Sequence, residues 1–269
     1  MERYRLKNII ITILLLLNFA LIFSLAIRKN SEQMAHRRTQ EQLVELFAAD
    51  GMELDGNMIP DGVPSQPLAL SRDARKEREV AEFFLGEALQ YEDQGGGIYS
   101  YTSAHGVALF RGDGSFDVVG AQTPDSMTAL CETFCKEFSY GDPVFLLDKD
   151  DSGAVTTVYQ YDDMPVFNCA VTFNLDRGTL QTVSGTLLPE SGITVVSDRE
   201  LLSAPAALTA FQKMRRETGA VVSAVTEIYP CYRLQSTTAA PMLLTPVWCI
   251  VTDTSRYYVN CMSGAVTTG

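Results

Sequence analysis

Between Ile9 and Ile27, nineteen consecutive residues carry no charge, with Arg3, Arg5 and Lys7 before them and Arg28 and Lys29 after. At about 1.5 Å per residue such a run makes a helix of roughly 28 Å, close to the thickness of a bilayer's hydrocarbon core. A single N-terminal transmembrane helix is expected, with everything from Asn30 onward tethered to it. Ser24-Leu25-Ala26 competes with this reading, because small residues two apart are what signal peptidase cuts. The run is longer than an ordinary signal core, however, and Arg28 and Lys29 suit interfacial stops better than the start of a released chain. The short basic amino terminus places the N-terminus in the cytoplasm and the C-terminal region outside, a single pass of the cell membrane. Asn18 is the strongly polar side chain near the middle of the run, where an amide is satisfied either by another helix or by its own backbone.

Charge separates the two parts. The chain carries a net charge of -12, yet its first 29 residues hold five basic and one acidic side chain, which leaves -16 for the rest. A surface that acidic argues against nucleic acid or anionic lipid as a ligand, since both require clustered Lys and Arg. The remaining length suffices for one large or two small domains with their own cores. All six cysteines, Cys131, Cys135, Cys169, Cys231, Cys249 and Cys261, lie in that external part, within apolar runs. Most are expected as buried free thiols, and Cys249 with Cys261 is the pair to examine for a bridge.

The pattern along the chain is α+β, with repeated helix-plus-antiparallel-sheet units. Ser31 to Ala49 reads as a helical stalk with an apolar edge at Leu43, Val44, Leu46 and Phe47, and Asp55 to Pro67, rich in Gly, Pro, Asp and Asn, reads as a linker. Ser71 is expected to cap a helix carrying Val80, Phe83, Phe84, Ala88 and Leu89, closed by Gly95-Gly96-Gly97. Strands follow at 98–103, 106–110 and 115–119. A second helix is expected over 124–138, then strands at 144–147, 155–161, 166–175 and 179–187, with Phe167, Cys169, Val171 and Phe173 on one core-facing edge. A third helix, over about 198–219 with Pro205 in its first turns, precedes strands at 221–233, 243–252 and 257–262. Met164-Pro165-Val166-Phe167 and Thr245-Pro246-Val247-Trp248 form a weak internal echo, each expected to open a long strand.

Motifs of chemistry are scarce. Asp148-Lys149-Asp150-Asp151-Ser152-Gly153 matches the start of a calcium loop, but Tyr159 stands where a bidentate glutamate is required, so an acidic hairpin turn is the expectation. Arg111-Gly112-Asp113 with Gly114 reads as a tight turn. His36 and His105 are the only histidines, and neither belongs to a zinc or nucleophile-base pattern. Cys131 and Cys135 share a helix face, beside Leu130 and Phe134, as a packing stripe. No catalytic residue, metal ligand or cofactor site is expected.

The basic start, the span Leu14-Leu15-Leu16-Leu17-Asn18-Phe19, the segment Leu46 to Pro60, and the tail Leu244-Thr245-Pro246-Val247-Trp248-Cys249-Ile250 with Tyr257-Tyr258-Val259-Asn260-Cys261-Met262-Ser263-Gly264 together resemble the YycH/YycI family. These are membrane-anchored regulators of a cell-wall sensor kinase in low-GC Gram-positive bacteria, and the tail is also similar to a PepSY-type unit. The cysteines and Gly95 to Gly97 depart from the family pattern. The resemblance implies a tip and span at 1–29, a stalk and linker at 30–70, a first helix-plus-strands block at 71–122, and PepSY-like units at 123–190 and 191–269. It also implies a non-enzymatic regulator whose membrane helix contacts the transmembrane helices of a sensor histidine kinase while the external part binds a sister regulator or senses the wall. Leu14, Asn18, Leu21 and Ile22, at helical spacing, are the expected contact. A reading from another class is an anchored PepSY-like module that binds and restrains an extracellular peptidase or cell-wall enzyme.

Overall fold

The computed structural model describes residues 2–120, 126–196, 200–236 and 242–269, with side chains throughout except at 2–13, 25–33 and 36. The chain opens with one unbroken helix, α1 (Glu2–Ala49), so the apolar run and the expected stalk are continuous. Among the described residues no helix is long and apolar enough to cross a membrane. The expected span Ile9–Ile27 lies on α1, with its ends, 9–13 and 25–27, outside the residues whose side chains are described.

After α1 come β1 (Leu68–Leu70), α2 (Ala74–Leu85), β2 (Gln90–Gly95), β3 (Ile98–Thr102), β4 (Val107–Arg111) and β5 (Ser115–Val119). Next are α3 (Met127–Glu137), β6 (Val144–Leu147), β7 (Gly153–Tyr161), β8 (Met164–Asp176), β9 (Thr179–Thr186) and β10 (Thr194–Val195). The chain closes with α4 (Ala204–Thr218), β11 (Val225–Gln235), β12 (Met242–Thr252), β13 (Arg256–Asn260) and β14 (Val266–Thr268). The alternating strands and charged helices therefore fold as α+β. Asp73, rather than Ser71, caps α2, its carboxylate accepting from the N–H groups of Arg75 and Lys76 at 3.2 and 3.3 Å. Gly86, at φ 84°, ends that helix, and Gly95-Gly96-Gly97 instead turns the β2–β3 hairpin with φ of 77°, 63° and 80°. β1, β2, β10 and β14 are strands the sequence did not announce, because each is short or polar.

The first half of the sheet runs antiparallel in the order β2-β3-β4-β5-β9-β8-β7-β6. Its inner face carries Ala108, Phe110, Phe116 and Val118 at alternate positions, which is what a half-buried strand requires. α2 and α3 cover that face. Phe134 meets Phe84 and Phe173 at 5.4 Å each, so one core holds residues from both helices and the sheet, and Met242 and Leu244 reach it from the far end of the chain.

The second half is built on β12, bordered by β11 on one side and by β1 and then β13 on the other. Its core joins α4 to Trp248, Ile250, Tyr257 and Val259, and takes in Leu43, Phe47, Met52, Leu54 and Ile59 from the N-terminal side. The expected linker is thus partly packed: Ile59 is buried, and the Gln66 carbonyl accepts from the Tyr232 hydroxyl at 3.0 Å. Pro246 lies inside β12 rather than at its start. β1 pairs as far as Leu244 and β13 begins at Val247, so the proline faces the seam between two partners. Its carbonyl still accepts from Cys261 N at 3.1 Å, and no ladder bond is asked of its nitrogen.

The halves meet at β8 and β11, which share one parallel register pair, Val166 with Tyr232. Here β8 bulges: Val158 faces Ala170 but Gln160 faces Pro165. The bulge breaks the expected alternation, so Cys169, Val171 and Phe173 face the core, whereas Phe167 turns to the other side and stacks on Tyr258 with centroids 3.7 Å apart. Asn168 takes the place of a ladder residue. Its amide donates to Leu234 O and its carbonyl accepts from Leu234 N, both at 2.8 Å. Replacing Asn168 with Ala strands both backbone groups, and urea unfolding is expected to show a loss of about 1–2 kcal/mol. Asn168→Asp, whose carboxylate has no donor for the Leu234 carbonyl, should not restore the parent midpoint; an unchanged midpoint for Asn168→Ala would disprove the clamp.

Candidate functional site

α1 positions the residues expected to contact a partner. Leu14, Asn18, Leu21 and Ile22 fall on one helical face, and all four are exposed, together with Leu15, Leu16, Leu17, Phe19 and Phe23. None of the described residues folds back over them. A run of large apolar side chains open on every side is stable only in lipid or against other helices.

The opposite end of α1 is fixed. Leu43 and Phe47 are buried against α4, with Phe47 stacked on Phe211 at 6.4 Å. Asp50 locks the end of the helix: its carboxylate accepts from Gln212 Nε2 at 2.8 Å and Arg216 Nε at 2.7 Å, while Arg215 reaches its carbonyl at 3.4 Å. Gln212 also donates to Leu46 O at 3.2 Å, closing an orphan carbonyl of the last turn. The Arg216 hydrogen bond is the main reason the Asp50 carboxyl titrates below its ordinary 3.8, against partial desolvation that pushes it up.

The described residues offer little for catalysis. Among them no three His, Cys, Asp or Glu side chains gather as metal ligands. Lys76 is the one titratable group with the look of a reactive amine: it is buried, and burial lowers its pKa although Glu190 opposes the shift. Its Nζ lies 2.6 Å from Glu190 Oε1 and 5.3 Å from the centroid of Tyr159. Glu190 is the only ion-pair partner of this amine among the described residues. The cavity beside it, lined by Arg72, Glu77, Phe110 and Met242, measures about 10 Å³, room for one water and no substrate. Arg72, on the wall of that cavity, makes two hydrogen bonds to Glu77 and sits 3.2 Å over the Tyr99 ring.

All six cysteines are free and buried, as expected. Cys249 and Cys261 do not approach each other, because β12 and the end of β13 place them on opposite faces of the sheet: Cys261 lies with Trp248 in the second core, Cys249 with Val247 and Tyr258 outside it. The neighbour of Cys249 is Cys231 on β11; of the two thiols Cys231 is pushed up by its neighbour and by burial, while the same neighbour lowers Cys249. Cys131, Cys135 and Cys169 line the first core, where burial raises each. The acidic segment Asp148–Ser152 forms the β6–β7 turn, closed by Asp148 N donating to Ser152 O at 2.8 Å, and Arg111–Gly114 turns β4 into β5. His105 is exposed in a loop, and the side chain of His36 lies outside the described residues.

Two surfaces remain. One is a groove of about 510 Å³ along α1, lined by Arg37, Gln40, Glu41, Val44, Glu45 and Asn57. The other, which the sequence pattern did not mark, is β6, whose Val144, Phe145, Leu146 and Leu147 are all exposed at the rim of the sheet.

No protein-family model and no curated protein matches the sequence. Solved structures similar to the chain include the YpeB C-terminal domain from Bacillus megaterium, at 12% identity and a TM-score of 0.35, covering 74% of this chain and 98% of that one. An uncharacterized protein from Eubacterium rectale gives 11% identity and a TM-score of 0.39 over 77% of this chain and 81% of that one. YycH from Bacillus subtilis gives 13% identity and a TM-score of 0.36 over 77% of this chain and 53% of that one.

The docking of α1 carries a pH dependence. A carboxyl whose pKa is lowered on folding contributes its stability above 3.8 and loses it as pH falls through the folded value. Hydrogen exchange at the amides of Asp50, Gly51 and Met52 is therefore expected to lose protection below about pH 4 in the parent chain. Asp50→Asn should remove that dependence; a parent chain with the same profile as Asp50→Asn would refute the lock.

Proposed function

We propose that this chain is a non-enzymatic, membrane-anchored regulator that modulates a cell-envelope two-component sensor kinase, with its N-terminus in the cytoplasm and the folded region outside. The observation that carries the reading is the continuity of α1 from its exposed leucines to Phe47 in the second core. From Leu14 to Phe47 an unbroken helix spans about 50 Å. A rod anchored at one end by Phe211, Gln212 and Arg216 passes any tilt or rotation of its apolar end into that core. A simple tether has no need of such an anchorage.

In this reading the face of Leu14, Asn18, Leu21 and Ile22 meets the transmembrane helices of the sensor histidine kinase, and the resemblance of span and tail to the YycH/YycI family supplies that class of partner. Asn18 gives the contact its polarity, since a central amide gains from a partner helix what lipid does not offer. Regulation then follows from the difference in affinity for the two states of the kinase. The external region is free to engage a sister regulator, and no cofactor enters the scheme.

A second reading, an anchored PepSY-like module that restrains an extracellular peptidase or wall enzyme, is favoured by the exposed rim at β6. The two part on the role of the span. Replacing residues 9–27 with an unrelated membrane helix is expected to abolish kinase association and signalling output, whereas a mere tether would leave both intact. Asn18→Leu is expected to weaken co-purification with the kinase by about threefold or more, the worth of one interhelical hydrogen bond. Insertion of two glycines after Arg38 should uncouple output while leaving association in place. Unaltered output in all three variants would overturn the regulator reading.

A further inference from the structure

β6 ends the sheet, and its unpaired side is open. It pairs only with β7, through Val144–Thr156, Phe145–Val155, Leu146–Ala154 and Leu147–Gly153, and among the described residues no strand lies beyond it. Bonded positions alternate along a strand, and Asp148 donates to Ser152 across the hairpin. Val144 and Leu146 therefore face β7, whereas Phe145 and Leu147 hold their N–H and C=O groups out at the free edge. The side chains are open as well, with Val144 at 55% and Leu146 at 63% exposure. Four consecutive apolar residues on an uncovered edge are what folded proteins avoid unless the edge is used.

The charges around the strand select the occupant. Asp142 precedes it and Asp148, Lys149, Asp150 and Asp151 follow, all five exposed and none in an ion pair among the described residues, while Asp176 and Arg177 of the next hairpin adjoin the same turn as one acid and one base. A second copy is disfavoured. Symmetric antiparallel pairing about Phe145 would set Asp142 directly against Asp148, and pairing about Leu146 would bring it up to the acidic turn Asp148–Asp151, like charge against like.

We propose that β6 is a docking edge for an extended segment of a partner protein, with alternating apolar residues in the middle and Lys or Arg at both ends. The segment adds a strand through the backbone of Phe145 and Leu147, and its basic ends meet Asp142 at one end and Asp148 and Asp150 at the other. The site lies on the first half of the sheet, away from α1, and stands whether or not the apolar helix meets a kinase.

The test uses the full-length chain in detergent and two labelled peptides, acetyl-KKVTVTVKK-amide and acetyl-EEVTVTVEE-amide, followed by fluorescence anisotropy. The basic peptide is expected to bind at least tenfold more tightly than the acidic one, and to weaken as salt rises from about 50 to about 500 mM. Leu147→Pro should remove the binding without lowering the unfolding midpoint, since the Leu147 N–H serves no ladder bond. Asp142→Lys combined with Asp148→Lys should reverse the preference, a readout that survives if the proline variant folds poorly. Equal affinity for the two peptides, no binding of either, or a concentration-dependent dimer that Leu147→Pro dissolves would each overturn the proposal.

Discussion

Among the described residues the sheet passes from one half of this molecule to the other through a narrow strip of β8 and β11, with Met242 and Leu244 packed into the first core beside it. One parallel register pair cannot hold two sheets in line, and the bulge at 166–169 removes the neighbouring ladder bonds. Asn168 restores two of them with its own side chain, as Phe167 and Tyr258 clamp the outer surface and Tyr161 packs edge-on to Tyr232 on the inner one at 5.7 Å. Tyr232 adds a hydrogen bond to Gln66 O at 3.0 Å, which ties the entry of β1 to the same strip. Side-chain amides are well suited to this role, because they present a donor and an acceptor with the spacing of a peptide group.

The same economy appears where α1 joins the second core. Phe47 supplies buried area, but area alone would let the helix slide; Asp50, Gln212, Arg215 and Arg216 fix its register. The last turns of α1 share the second core with α4, β12 and Ile228 of β11, and β11 in turn borders the strip at Asn168.

Much of this was legible in the sequence. The uncharged run and the polar segment after it gave a helix, and β5 and β6 fall within the boundaries that alternation and turn residues suggest. The errors have local causes. Ser71 looked like a cap, but Asp73 lies closer to the helix and its second oxygen is held by Ser191 at 2.6 Å, a residue far away in sequence. Phe167 was placed on the core face because periodicity assumes a regular strand, and a bulge shifts the phase. Pro246 suggested a strand start, since only the fold reveals a seam between two partners. The uncharged run of α1 is plain in the sequence, whereas the rim at β6 is not: an exposed edge strand and a buried one read alike when all four residues are apolar.

The two cores also draw on the chain out of order. The second is assembled from Leu43 to Ile59 and from residues beyond Leu201, and the first is finished only when Met242 and Leu244 arrive. During synthesis, then, the docking turns of α1 emerge early and wait for most of the polypeptide to appear, and the first sheet stays unsealed along one border through the same interval. Both cores wait for β12, and the second also for Tyr257 and Val259 of β13. A product that stops short of that strand leaves apolar surface at two places at once, which makes incomplete copies conspicuous to the proteases and chaperones that survey nascent chains.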